Sequence, residues 1–199
     1  MTKLVAMLFA LLIVNPLAAE DQELPTTKAL EKVFVSAIAA EDPVAFAQCW
    51  ISAIDMFELM DSMAKIEPRI AEEAVGLDQV IEQFKERNER INKLYHGIRS
   101  EIQKNNLSTN ELSVSFGEIK KQEMGKLVRY ETKQIFDVRS EDGWVLKIEI
   151  DDILSFGNDF KFFDSPMHAV LTLADGKQVE VYNSGQRGIE WFDKDQEDG

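Results

Sequence analysis

Hydrophobic residues follow a helical period in the first half of the chain and a strand period in the second half. From Leu30 to Ile38 they recur at steps of three or four residues, which is the spacing of an amphipathic helix. From Leu112 onward they alternate with polar residues, which is the spacing of a strand that buries one face. The pattern therefore predicts helices followed by a sheet.

Four helices are predicted before residue 105. The first follows a Pro-Thr-Thr sequence at 25–27, and the second begins with Asp42 as N-cap and Pro43 at the first helical position. A third helix begins at Ser52, and a fourth runs over residues 78–104. The expected buried residues of the third helix are Ile54, Phe57, Leu59, Met60 and Met63.

The fourth predicted helix is long enough to allow two arrangements. Its apolar stripe repeats at steps of three, four and seven residues, with Asn88 and Tyr95 in the intervening positions. One arrangement is a coiled-coil dimer, but only about three and a half heptads are present and a polar residue interrupts the seam. Packing against the chain's own sheet is therefore the favoured prediction. The stripe comprises Leu77, Ile81, Phe84, Ile91, Leu94, Ile98 and Ile102.

Strands are predicted after residue 110, and the tight turns between them make neighbouring strands antiparallel. The expected strands cover residues 112–116, 128–138, 144–151, 160–162, 168–173 and 178–183. Helices that precede a meander of strands define an α+β fold, in which the N-terminal helices pack on one face of an antiparallel sheet.

The first nineteen residues have the three parts of a secretory signal peptide. Lys3 gives a positive start, residues 4–14 form an apolar run too short to span a bilayer, and Ala19 is a small residue ahead of the cut. A cut after Ala19 divides the chain into a signal peptide at 1–19, a single domain at 20–190 and an acidic tail at 191–199. This predicts a secreted or periplasmic protein with no membrane insertion after cleavage; an uncleaved anchor is the alternative.

Net charge and cysteine content narrow the choice of partners. The formal net charge of the chain is −14. A surface this negative repels phosphate backbones and anionic lipids, so nucleic acid is not an expected partner. The single Cys49 cannot form an internal disulfide, and it is predicted to be a small buried hydrophobic residue beside Trp50.

Two stretches resemble NTF2-like domains. The sequence AIAAEDPVAFAQCW is similar to the two opening helices of that superfamily, and GWVLKIEIDDILSFGNDFKFFDSP is similar to its paired terminal strands. The resemblance covers residues 25–166. It implies a curved antiparallel sheet that wraps around a helix to form a cone, whose mouth serves as an enzyme pocket, a ligand pocket or a binding surface. The long helix at 78–104 departs from the family pattern and is large enough to fill or cap such a cone.

Three residues are candidates for acid–base chemistry. Asp152 shares the parity of the apolar strand residues before it, so it is the best candidate for a pocket carboxylate, with Tyr130 as a hydrogen-bond donor. A structural hydrogen bond to a hydroxyl or a turn amide is the alternative role of Asp152. Its neighbour Asp151 projects to the opposite face, so the two cannot share a proton. His96 follows Tyr95 on the fourth helix, where the apolar spacing favours Tyr95 as the inward residue.

Polar residues within an apolar stripe are candidates for ligand binding. Thr132 and Gln134 carry inward parity, and buried polar groups require partners, so they line a wet pocket or meet polar groups of the long helix. Together with Tyr130 and Trp50 they form the candidate ligand-binding set. Two histidines and one cysteine without ligand spacing predict no metal site, and no cofactor motif is present.

The sequence favours a non-enzymatic exported binding domain, for a protein or a small ligand of unknown specificity, because it contains no recognisable catalytic motif. The alternative is a small-molecule enzyme of the isomerase or dehydratase kind that uses Asp152 as its base. Self-association through the sheet, giving a homodimer, is a third hypothesis.

Overall fold

The structure is a computed structural model that describes residues 15–16, 25–66, 77–124, 127–156 and 159–185. Its described part contains helices followed by antiparallel sheets, which confirms the predicted α+β class. The helices are α1 (Lys28–Ala39), α2 (Pro43–Gln48), α3 (Ala53–Ile66) and α4 (Leu77–Lys104). The strands are β1 (Asn15–Pro16), β2 (Ser113–Ser115), β3 (Lys120–Met124), β4 (Leu127–Glu131), β5 (Ile135–Arg139), β6 (Val145–Ile150), β7 (Ile153–Phe156), β8 (Asp159–Phe162), β9 (Pro166–Thr172) and β10 (Gln178–Asn183).

The predicted signal peptide and the predicted acidic tail lie largely outside the described residues. Of the predicted signal peptide only Asn15–Pro16 is described, and it pairs antiparallel with the start of β4. The predicted tail at 191–199 is outside the described part. A cut after Ala19 would remove β1, whereas β4 would keep its pairing with β3 and β7.

The described strands form two five-stranded sheets. In the first sheet, β4 pairs with β3 on one side and with β1 and β7 on the other, and β8 is the outer neighbour of β7. In the second sheet the order is β10-β9-β6-β5-β2. Strands β3 and β7 were not predicted, and the single strand predicted at 128–138 is wrong, because it is two strands in two sheets.

A β-bulge joins the two sheets. Glu131 pairs with Leu154, and Ile135 pairs with Glu149. Between these two pairs, the three residues 132–134 lie opposite the four residues 150–153. The backbone N–H of residue 132 donates to the carbonyl of residue 153 over 3.2 Å, and that of residue 150 donates to the carbonyl of residue 134 over 2.9 Å. These two bonds bridge the irregularity, and the chain passes here from one sheet to the other.

Helix α4 packs on β9 and β10 and against α2 and α3, so it lies on the chain's own sheet as predicted. Its backbone comes very close to β10 at Gly97. A Cβ atom built at Gly97 would lie 2.4 Å from the carbonyl oxygen of Val181, which is shorter than any real contact. The helix can approach the strand this closely only because residue 97 has no side chain.

A buried arginine ties the second half of α4 to α1. Arg99 is 9 % exposed, and its Nη1 donates to the carbonyl oxygen of Ile38 over 3.1 Å. Its Nη2 forms an ion pair with the carboxylate of Glu41, just beyond the end of α1. The positive side chain therefore satisfies the carbonyl end of a helix, where the helix dipole is negative.

The buried face of α3 differs from the predicted one. Leu59 and Met60 are buried together with Met56, whereas Ile54 is 62 % exposed and Phe57 is 37 % exposed. The three buried residues follow helical spacing, so the helix is turned relative to the prediction and leaves Ile54 and Phe57 outside. The side chain of Met63 lies outside the described set.

Candidate functional site

An open groove of about 630 Å³ lies between α2, the start of α3, the middle of α4 and β8. Its apolar lining includes Val44, Ala47, Ile51, Ala53 and Ile91. Its polar lining includes Gln48, Ser52, Asp55, Arg87, Asn88, Asn92 and Lys161. Small-molecule sites typically measure about 300–1,000 Å³ and combine an apolar surface with a few converging polar groups. The groove has both properties.

Arg87 is the most buried charge of the groove, at 8 % exposure. Its Nη1 donates to the carbonyl oxygen of Phe163 over 3.2 Å, and its Nη2 donates to that of Ile51. Its Nε–H is buried and has no hydrogen-bond partner among the described residues. Burial lowers the pKa of Arg87 to about 10, while the negative charges of Asp164 and Asp55 oppose that shift. The guanidinium is therefore charged at neutral pH and only partly compensated.

The amino end of α3 forms another part of the groove wall. The Ser52 N–H donates to Asp55 over 2.8 Å, and the Asp55 N–H donates to the hydroxyl of Ser52 over 3.0 Å, which is a capping box. Lys161 of β8 donates to the same Asp55 carboxylate over 2.9 Å. Burial favours a higher pKa for Asp55, but these hydrogen bonds outweigh it and hold the pKa below its usual value. Asp55 is thus ionised and bound to Lys161.

Trp50, one of the predicted ligand-binding residues, lines the groove from the core side. Its side chain is buried against Phe46 and Phe162, with ring centroids 5.2 and 4.6 Å away. Its Nε1–H donates to the carbonyl oxygen of Asp164 over 2.9 Å. The adjacent Cys49 is also buried, and burial raises the pKa of its thiol to about 12, so it is a buried hydrophobic residue as predicted.

Three other predicted residues meet in a separate depression of about 290 Å³ at the β-bulge. Its lining includes Thr132, Gln134 and Asp152. It also includes Lys120 of β3, Glu131 at the end of β4, and Lys133 between β4 and β5. Thr132 is buried, and its hydroxyl donates to the carbonyl oxygen of Gly117 over 2.7 Å. Gln134 is exposed, because the bulge interrupts the alternation that gave it inward parity. Asp152 is buried, at 9 % exposure.

Tyr130 and His96 line neither of these two cavities. Tyr130 is buried in the hydrophobic core, on the strand that pairs with β3. His96 is exposed on α4, whereas the preceding Tyr95 is buried, as the spacing of the apolar stripe predicted. Tyr130 is thus not placed beside Asp152 in the depression where the enzyme hypothesis requires a donor.

Asp164 is a functional candidate that the sequence analysis missed. Burial, followed by the negative charge of Asp164, raises the pKa of Asp151 to about 6. The negative charge of Asp152 acts on Asp151 in the same direction but more weakly than that of Asp164. Asp151 and Asp164 lie beside the groove, because the main chain at 163–164 accepts the hydrogen bonds from Arg87 and Trp50.

Within the described ranges, no group of three or more histidine, cysteine or carboxylate side chains is arranged to hold a metal ion. Among the same residues, no helix combines the length and apolarity that crossing a bilayer requires. Comparison with models of protein families, with curated proteins and with solved structures finds no match. The groove and the depression must therefore be interpreted from their own chemistry.

Proposed function

We propose that this chain is an exported, non-enzymatic binding domain that holds a small molecule in the groove between α2, α3 and α4. The observation that carries the proposal is the composition of the groove: an open space of about 630 Å³ with an apolar lining and a buried, incompletely hydrogen-bonded arginine. A buried polar group without a partner costs free energy and requires an explanation, and an apolar cavity with a few converging polar groups is the usual composition of a ligand site.

The remainder of the proposal comes from the sequence. The NTF2-like resemblance supports a binding cavity at the edge of a helix-covered antiparallel sheet, and the leader at 1–19 supports export with a cut after Ala19. Mass measurement of the protein recovered from the extracytoplasmic fraction tests the cut. A mass that still includes residues 1–19 would contradict it.

A substitution that fills the groove tests the binding proposal. Ala47 is exposed and lines the groove, so Ala47→Phe should fill it without disturbing the core. We expect the neutral dye Nile red to bind the wild-type protein and to lose about tenfold in affinity in this variant, as followed by dye fluorescence. The matched control is Ala39→Phe, at an exposed alanine outside the groove lining. Equal losses in both variants, or none in either, would refute the groove as the site.

The second candidate function is an enzyme that uses Asp152, and one observation favours it. A buried carboxylate lies at a bulge, where it lines a depression together with Thr132 and Gln134. The Nε2 of Gln134 donates to the Asp152 carboxylate over 3.5 Å, so the same side chain also has a structural partner. Asp152→Asn separates the two roles. Lost turnover of a substrate with unchanged thermal stability supports the enzyme, whereas a lower melting temperature without any turnover to lose supports a structural role.

A further inference from the structure

We propose that the ligand of the groove is a small amphipathic molecule with one carboxylate group, whose apolar part lies on Val44, Ala47 and Ile91 and whose carboxylate lies beside Lys161 and Arg87. This inference rests on the proposed function, and it adds the chemical class of the ligand. Three observations on different elements support it.

The first observation is the charge of the groove lining. Its side chains include two cations, Arg87 and Lys161, and one carboxylate, Asp55, so its formal charge is positive in a chain of net charge −14. The amino end of α3 lies in the same wall at Ser52 and Ala53, and the dipole of this helix adds to the positive potential. The groove lining itself therefore favours an anionic group, although the carboxylate of Asp164, which lies beside the groove, opposes it.

The second observation is the state of Arg87. Its Nε–H is buried without a partner, and its pKa is lowered because burial outweighs the nearby negative charges. The Nε atom itself is shielded from the groove, so a ligand would act mainly through the charge of the guanidinium. Adding one negative charge nearby would offset the cost of burying this cation.

The third observation is an internal comparison within α4. Arg99 is also buried and also donates to a main-chain carbonyl, but it has the carboxylate of Glu41 as its ion-pair partner. Among the described residues, no carboxylate lies within ion-pair distance of Arg87. The ligand carboxylate would supply at the Arg87 end what Glu41 supplies at the Arg99 end.

Three probes that share an eight-carbon chain and differ in charge test the inference: octanoate, 1-octanol and octylammonium, measured by isothermal titration calorimetry at physiological salt. We expect octanoate to bind about tenfold more tightly than 1-octanol, and octylammonium to bind most weakly. Equal affinity for octanoate and 1-octanol would overturn the carboxylate inference and leave the proposed function standing. If none of the three binds, both fail.

Variants of the Lys161–Asp55 ion pair test where the ligand carboxylate lies. Lys161→Gln should remove most of the preference for octanoate over 1-octanol, and Asp55→Asn should increase it, because Lys161 then loses its competing carboxylate. The matched controls are Lys65→Gln and Asp61→Asn, which alter an exposed lysine–aspartate pair of α3 outside the groove lining. An unchanged preference in Lys161→Gln, with folding verified by circular dichroism, would refute the assigned position of the carboxylate.

Discussion

Each half of α4 buries an arginine that donates to the main chain, but the two arginines differ in their other partners. At the Arg99 end, the guanidinium has a main-chain carbonyl and a carboxylate as partners, and the helix backbone is pressed against β10 at Gly97. At the Arg87 end, the guanidinium donates to two main-chain carbonyls and, over 3.5 Å, to the side-chain oxygen of Asn88. It also has one unpaired N–H, and an open groove lies beside it. We refer to these as the closed end and the open end.

The difference between the two ends is the reason for our proposal that the closed end serves stability and the open end binds a ligand. The closed end buries its cation and pairs it with a carboxylate that is exposed to solvent, so the charge of Arg99 is balanced within the chain. The open end buries a cation with less compensation, which is a cost that packing elsewhere must offset. A ligand of opposite charge would reduce this cost, which is the physical reason that we propose the groove and not the depression at the bulge as the binding site.

Removing the close contact of the closed end should have the largest effect. In Gly97→Ala the new Cβ would lie 2.4 Å from the carbonyl oxygen of Val181, so α4 must move away from β10. Overpacking costs about 1–3 kcal/mol, and the higher helix propensity of alanine returns up to about 1 kcal/mol. We expect a net loss of about 2 kcal/mol in the free energy of unfolding, measured by urea denaturation.

The control for this variant is Ser100→Ala. Ser100 is an exposed residue of the same helix, so this substitution introduces an alanine into α4 without a close contact to β10. A loss within about 0.5 kcal/mol is expected. Comparable losses in both variants would show that the approach of α4 to β10 is not a special constraint.

The helix boundaries could be predicted from the sequence because the signals that set them are local. Asp42 accepts hydrogen bonds from the N–H groups of Val44 and Ala45, as its position before Pro43 indicated, and α4 begins within one residue of the predicted start. The residues that form a helix cap or a hydrophobic period lie in the helix itself or within a few residues of it.

The bulge and the groove depend on residues that are distant in sequence. Alternation continues without a break over 128–138, and the division into β4 and β5 arises from one extra residue on the facing strands. The carbonyl partners of Arg87 belong to other elements: Ile51 is 36 residues away and Phe163 is 76 residues away. No local pattern encodes these contacts.

One sequence signal for the groove was available. Arg87 lies three residues after Phe84 and four before Ile91, so it occupies the apolar stripe of α4, and it is buried there with its guanidinium 3.8 Å from the ring centroid of Phe84. The sequence analysis placed Asn88 in that stripe, but Asn88 is exposed and lines the groove. A charged residue within an apolar stripe that is expected to be buried is the pattern that indicates a candidate site.

The free energy of unfolding should depend on pH through Asp151, which lies beside the open end. The pKa of Asp151 is raised to about 6 by burial and by Asp164, whereas an unfolded aspartate titrates near about 3.9. The folded state therefore binds the proton more tightly, so this contribution is fully present below about pH 3.9 and is lost as the pH rises through 6.

Asp151→Asn should remove this dependence and stabilise the protein at pH 7. Because the carboxyl is only half-buried, solvent screening reduces the expected gain to about 1 kcal/mol, measured by urea denaturation at pH 5 and pH 7. In a chain that already carries Asp164→Asn, the gain should be smaller, since one of the repelling charges is gone. A gain that is equal at both pH values would show that Asp151 does not titrate between them.

The smallest expected effect tests the closed end directly. Glu41→Gln keeps the shape of the side chain and removes the charge that faces Arg99, so the closed end acquires the charge pattern of the open end. The Glu41 side chain is 61 % exposed, and solvent therefore screens the pair, which limits the expected loss to about 0.5 kcal/mol. Glu86→Gln is the control, because it removes an exposed helical pair with Arg90. Urea denaturation at low and high salt measures both variants. A loss in Glu41→Gln no greater than in Glu86→Gln would mean that Arg99 does not need its carboxylate, and the argument that Arg87 needs one from a ligand would lose its internal standard.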